Sequence, residues 1–423
     1  MWKKIKLLFT IPDLRKKIFF ILALLVLFRL GAAIPVPGVD PERLRAFFAG
    51  NQIFGLLNIF SGGALDNLSI LMLGVGPYIT ASIIMQLLTM IFPKIKELYH
   101  EEGEAGRAKF NQYTRYLTVP LAALQAFGFL TLLQNQQILE PLGGFGFLTN
   151  IVVVTAGTMF LMWLGELITE KGIGNGVSLI IFAGIIASLP QSARQLIATY
   201  DPSQIPTYLG FLAAAILVVG GVVIITEGQR KIPVAYAKRI RGMRLYGGVS
   251  SHLPLRVNQA GVIPIIFALS ILLFPQMLSQ IFSAVHVPVL TRLAQAAATF
   301  FANPWWYGIF YFLLVALFTY FYTAVTFDPK SIAENVQKAG GYVPGIRPGG
   351  PTAEFLSKIL NRITLFGALF LGSIAVLPSI VQGATGLQAL TIGGTALLIV
   401  VSVVFETMKQ VEAQLVMREY EGL

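Results

Sequence analysis

Asn58-Ile-Phe-Ser-Gly-Gly-Ala-Leu-Asp-Asn-Leu-Ser-Ile-Leu-Met-Leu-Gly-Val-Gly-Pro77 is the stretch on which the fold turns. Its centre, Ala64–Leu73, predicts a helix about 15 Å long, half the hydrocarbon thickness of a bilayer. Gly62 and Gly63 precede that helix, and Gly74, Gly76 and Pro77 break the chain after it. The stretch is too apolar for an ordinary external loop and too short for a span. Two placements fit: a short amphipathic helix lying on the outer face, or a half-helix that enters the membrane from outside. Broken backbone at membrane depth is tolerated only against protein or a water-lined cavity, so the second placement implies a cavity.

The rest of the chain supplies the membrane. Of 423 residues, 55% are hydrophobic and 12% charged, and the mean hydropathy is +0.73. A soluble chain carries about 25% charged residues, so lipid is the solvent for most of this one. Candidate spans are Ile18–Ile34, Gly76–Phe92, Tyr116–Leu133, Ile151–Ile168, Val177–Leu189, Tyr208–Thr226, Val262–Met277, Trp305–Val325, Ile363–Ile380 and Leu390–Thr407. The N-terminus imitates a cleavable signal, with a basic start, an apolar run and Gly31-Ala-Ala33. It is read as a retained first span, because Arg29 interrupts the end of that run and no polar domain follows.

Basic residues set the orientation. Of 31 Lys and Arg, 26 lie in the N-terminus, the C-terminus and the loops after even-numbered spans. Four lie on the other side, and Arg29 lies within the first span. This bias places both termini in the cytoplasm and accounts for the net charge of +11 without invoking nucleic acid.

Reactive groups are scarce. There is no cysteine, no phosphate-binding loop and no paired-histidine zinc motif, and His100, His252 and His286 are scattered. No catalytic residue, cofactor or metal is expected. Arg29 and Glu166 sit near span ends, where Arg snorkels and Glu reaches water or a basic partner, and both are read as structural.

Two cytoplasmic loops stand out instead. One carries Arg230, Lys231, Lys238, Arg239, Arg241, Arg244 and Arg256 against the single acid Glu227. Its extended stretches Lys231–Ala237 and Arg244–Val249 predict a hairpin with basic residues at the tip. The other contains Gly340-Gly-Tyr-Val-Pro-Gly-Ile-Arg347-Pro, whose rigid turns hold Arg347 outward. Such surfaces suit anionic partners or anionic lipid. Internal similarity adds one more feature: Pro77-x-Ile79-x-Ala81-Ser-Ile83 resembles Pro264-x-Ile266-x-Ala268-x-Ser-Ile271. The two opening segments belong to spans five apart and antiparallel, as in an inverted repeat.

A series of motifs runs along the chain: Ile34-Pro-Val-Pro-Gly-Val-Asp40, Gly76-Pro-Tyr-Ile-Thr-Ala-Ser-Ile83, Glu102-Gly-Glu-Ala-Gly-Arg107 and Gly157-Thr-Met-Phe-Leu-Met-Trp-Leu-Gly-Glu166. It continues through Gly172-Ile-Gly-Asn-Gly176, His252-Leu-Pro-Leu-Arg-Val-Asn258, Val343-Pro-Gly-Ile-Arg-Pro-Gly349 and Gly393-Gly-Thr395. By these motifs, in family order, nearly the whole chain resembles the SecY family of protein-export channels.

The resemblance implies an all-α polytopic membrane protein of ten transmembrane helices, in two inverted five-helix halves (1–189 and 190–423) around a central pore. A plug would close the pore, formed by Ser61, Gly62, Gly63, Ala64, Leu65, Asp66, Asn67, Leu68, Ser69, Ile70, Leu71 and Met72. A constriction ring would comprise Ile79, Ile83, Val177, Ile181, Ile266 and Ile399, with Gln86 and Asn258 at a lateral gate. Arg230, Lys231, Lys238, Arg239, Arg241, Arg244 and Arg347 would dock the ATPase SecA and the ribosome. SecE and SecG would be companion subunits, and signal sequences and unfolded preproteins the clients. A ten-span secondary transporter is the main rival, disfavoured by the absence of midplane acids; an intramembrane hydrolase lacks its catalytic groups.

Overall fold

The computed structural model describes residues 11–37, 61, 63–65, 68–100, 102–135, 137–139, 143–198, 202, 205–236, 239–241, 244–246, 250–272, 292, 296, 303–385 and 388–421. Helices dominate: α1 (Pro12–Ala32), α2 (Gly76–Ile91), α3 (Pro93–His100), α4 (Gly103–Asn135), α5 (Gly144–Lys171), α6 (Gly176–Ala198) and α7 (Ile205–Glu227). An insertion of strands follows, with β1 (Gln229–Tyr236), β2 (Arg239–Arg241), β3 (Arg244–Tyr246) and β4 (Ser250–Arg256). Then come α8 (Ile263–Leu272), α9 (Pro304–Thr326), α10 (Pro329–Lys338), β5 (Gly341–Tyr342), α11 (Gly350–Thr385) and α12 (Gln388–Glu421).

Each expected span coincides with one of these helices, although residues 273–277 of the seventh lie outside the described residues. Among the described residues, five helical stretches are long and apolar enough to cross a membrane. The pair α2 and α3 is bent by 115°. Pro93 explains the bend, because it forces Phe92 out of helical geometry into an extended conformation (φ −108°, ψ 111°). Proline also opens helices here: Pro12, Pro77, Pro304 and Pro329 occupy the first turns of α1, α2, α9 and α10, where no N–H partner is lost.

Three apolar clusters divide the interior. The largest draws on α1, α2, α5, α6, α7, α8, α9, α11 and α12. A second joins α4 and α5 to residues of the 61–75 segment. The third packs Ile232, Leu255, Ala333, Val343 and Leu356 together, between the strands and α10 and α11.

Two sequence expectations are corrected. First, the described residues of 64–73 form successive turns rather than a helix. Gly63, Leu68 and Gly74 have φ of 78°, 38° and 58°, which a right-handed helix excludes. Backbone groups of this segment pair elsewhere: Val36 N donates to Leu68 O at 2.8 Å and Ile70 N to Ile34 O at 3.0 Å, which makes an antiparallel bridge between Pro35 and Ser69.

Second, β1 does not pair with the 244–249 stretch. It pairs antiparallel with β4, Ile232 opposite Leu253 and Arg230 opposite Leu255, while β2 and β3 form a separate hairpin. Burial decides the partner: Ile232 and Val234 alternate inward on β1, and β4 offers Leu253 and Leu255 to the same cluster. On its other edge β1 pairs with β5, Ala235 opposite Tyr342. The two basic loops, read as separate platforms, are therefore joined through one three-stranded sheet, β4–β1–β5.

Candidate functional site: an apolar cluster of four helices and a basic platform

All six residues expected at the constriction lie in or against one cluster. Ile79, Ile83, Ile181, Ile266 and Ile399 are 6% exposed or less, and Val177 packs on the same cluster from a partly buried position. They come from α2, α6, α8 and α12, so four helices converge. The i,i+4 spacing of Ile79 with Ile83, and of Val177 with Ile181, puts each pair on one helical face. The two resembling segments bury matching positions: Ile79 and Ala81 on α2, Ile266 and Ala268 on α8.

The 61–75 segment sits against this cluster. Ala64, Leu71 and Val75 belong to it directly, whereas Leu65, Leu68 and Met72 pack with Ala126, Phe129, Leu130, Leu133 and Val154 of α4 and α5. Ser61 Oγ accepts from Leu65 N at 3.2 Å, and Ser69 Oγ from Leu71 N at 3.1 Å, so the buried hydroxyls close the turns. Gly62, Asp66 and Asn67 lie outside the described residues. Most of the described residues of the segment are buried, which a helix lying on the outer face would not give.

Glycine permits two close approaches that sequence reading did not single out. A Cβ on Gly157 of α5 would collide with the Ile70 carbonyl oxygen. A Cβ on Gly31 of α1 would lie 2.7 Å from Leu71 Cδ1. Gly157 appeared in the sequence only as part of a family motif, since nothing in an apolar helix marks which glycine meets a distant backbone. The guanidinium of Arg29, expected near the span end, lies alongside this segment, 3.9 Å from the Cβ position of Gly63.

The two residues expected at a lateral gate, Gln86 and Asn258, carry side-chain amides. Gln86 Nε2 donates to Ser82 Oγ at 3.4 Å, and Asn258 Nδ2 to Gly261 O at 3.1 Å. Their amide oxygens are buried with no hydrogen-bond partner among the described residues. Glu166 has the basic partner expected of it: Arg115 Nε donates to its Oε1 at 2.8 Å.

In the strand-bearing loops, Arg230, Lys231 and Arg347 are exposed. Arg347 is held by its backbone, since its carbonyl accepts from Thr352 Oγ1 at 2.8 Å. The neighbouring Gly345 and Gly349, with φ of 82° and 90°, make the turns that no side-chain-bearing residue adopts easily. Arg239, Arg241 and Arg244 lie on the β2–β3 hairpin, with Arg241 opposite Arg244. Lys238 lies outside the described residues.

The comparisons with known proteins agree with this architecture. The SecY family model matches residues 69–408. A protein translocase subunit SecY from Corynebacterium glutamicum is 47% identical over 437 residues, covering 98% of each chain. One solved structure, of a SecY protein whose plug domain is described as stabilising the closed state of the translocation channel, shares the fold with TM-score 0.64. It is 20% identical over 93% of this chain and 91% of that one. The Sec61 channel of a canine ribosome–channel complex from the endoplasmic reticulum gives TM-score 0.59 at the same identity and coverage. The chain is a polytopic membrane protein and belongs to the SecY family.

Proposed function

We propose that this chain is the protein-conducting channel of a cytoplasmic-membrane translocase, with both termini in the cytoplasm. It passes unfolded secretory chains across the membrane and releases apolar segments sideways into lipid. One observation carries the reading: six aliphatic side chains from four helices lie in or against a single apolar cluster that also holds Ala64, Leu71 and Val75. Branched aliphatics exclude ions by dewetting, and they offer no fixed hydrogen bonds that would hold a passing peptide. A transporter site would need convergent polar groups at that depth, and the translocase relatives give the transporter reading no support.

In this reading 61–72 is the plug and Ile79, Ile83, Val177, Ile181, Ile266 and Ile399 are the collar. Gln86 and Asn258 line the lateral gate, where buried amide oxygens lacking partners among the described residues favour separation toward water or a client backbone. The halves 1–189 and 190–423 part to open it. The joined sheet β4–β1–β5 presents Arg230, Lys231 and Arg347 to SecA or the ribosome, whose anionic groups guanidinium recognises. SecE and SecG complete the complex. This chain supplies no energy source of its own, so SecA, the ribosome or the membrane potential drives transport.

The test is SecA- and ATP-driven translocation of a signal-bearing precursor into proteoliposomes holding this chain and SecE. Protease-protected precursor that disappears without ATP, and falls several-fold with Arg347→Glu, is the expected result. Full SecA binding with no protected precursor would overturn the channel reading.

A further inference from the structure

The described residues of 61–75 are not held by packing alone. The α5 helix buries a stripe at Asn150, Val154, Gly157, Leu161, Leu164 and Ile168, and the outer part of that stripe meets the plug. At Gly157 the approach is backbone to backbone, because a Cβ would overlap both the carbonyl oxygen and the carbonyl carbon of Ile70. A carbonyl fixed in a turn cannot move without moving the turn. At Gly31 the approach is backbone to side chain: the Cβ would meet the end of Leu71, which can rotate away. Between these two contacts the Pro35–Ser69 bridge hydrogen-bonds the plug to the end of α1. The three contacts hold the plug from two helices whose other faces pack elsewhere, so α1 and α5 can stay in place while the plug leaves.

We propose that Gly157 and Gly31 form the seat of the plug, and that side-chain volume at position 157 sets how fully the plug closes the channel. The proposal rests on the channel reading above. A methyl at 157 displaces the main chain at Ile70, pulls Leu71 from the apolar cluster and weakens the bridge at Ser69. No side-chain change in the plug relieves that overlap. A methyl at Gly31 is milder, and shortening Leu71 relieves it. The seat therefore has one rigid contact and one adjustable contact.

The absence of cysteine makes the plug position directly measurable, because Pro35→Cys and Ser69→Cys would be the chain's only thiols. Facing residues of an antiparallel bridge lie at a spacing a disulfide spans. The experiment reads oxidative cross-linking of this pair, and ion conductance of the reconstituted complex without client. Gly157→Ala is expected to lower the cross-link yield and raise conductance, each several-fold, with Gly157→Val going further. Gly31→Ala is expected to have a smaller effect that Leu71→Ala reverses. Gly220→Ala on α7, where a Cβ meets open space, is the control and is expected to change neither readout. In a chain lacking residues 62–72, Gly157→Ala is expected to add no conductance. Unchanged cross-linking in Gly157→Ala would overturn the seat, and so would an equal rise in conductance without the plug. A plug-deleted chain that conducts nothing would overturn the channel reading instead, and the cross-link yield would still decide the seat.

Discussion

Arg115 Nε meets Glu166 Oε1 at 2.8 Å, joining α4 to α5 through an ion pair whose Glu166 side chain is 21% exposed and whose Arg115 side chain is 47% exposed. The two residues are 51 positions apart, and neither sits at a helix end that needs it for capping.

Removing one partner leaves a half-buried charge without its counter-ion, which costs more than an exposed pair is worth. Arg115→Ala is expected to lower stability by about 1 kcal/mol, and the charge swap Arg115→Glu with Glu166→Arg to restore part of it. Thermal unfolding of the detergent-solubilised complex measures both. A single variant as stable as the parent, with an inert swap, would reduce the pair to a surface contact.

Asp328 caps α10 with both carboxylate oxygens: Oδ1 accepts from Lys330 N at 3.0 Å and Oδ2 from Ser331 Oγ at 2.9 Å. Loss of such a cap costs about 1 kcal/mol. Asp328→Ala should therefore speed amide exchange in 329–338, whereas Asp328→Asn, which keeps an acceptor oxygen, should show most of the parent protection. Mass-resolved hydrogen exchange separates the two.

Leu255 is fully buried in the third apolar cluster with Ile232, Val343 and Leu356. Truncation to Ala leaves a cavity and costs about 2–4 kcal/mol. That is enough to loosen a small sheet packed on two helices. Proteolysis in both basic loops, not only the loop that carries Leu255, is the expected signature, because β1 is shared by β4 and β5. Cleavage confined to 229–256 would mean the two loops fold separately.

Ile181 is 1% exposed among the aliphatic residues assigned to the collar. Ile181→Asn places an amide where none has a partner, and wetting should follow. Single-channel recording on the reconstituted complex should show frequent brief openings, whereas Ile181→Leu should stay silent. Equal leak from both variants would point to lost packing rather than polarity.

The membrane-spanning helices were legible in the sequence because lipid imposes one demand on every span: about 20 apolar residues with an internally satisfied backbone. The turn prolines and basic loops were equally legible, because their effects are local. The secondary structure of 64–73 was misread for a non-local reason. Its apolar length suits a helix, yet Ile34 and Val36, some thirty residues earlier, take the hydrogen bonds of Leu68 and Ile70. The partner of β1 was missed similarly, since Lys231–Ala237 has two extended stretches available and burial of Ile232 and Val234 selects Ser250–Arg256.

Amino-acid sequence by itself determined which segments enter lipid and where basic charge accumulates, since hydropathy and charge act residue by residue. Tertiary structure alone decided that Ile79, Val177, Ile266 and Ile399 share one cluster, that Gly157 faces the carbonyl of Ile70, and that two basic loops are joined through a single sheet. Those are meetings between distant segments. An isoleucine that faces lipid and one that faces a closed pathway are chemically identical until packing brings their neighbours to them.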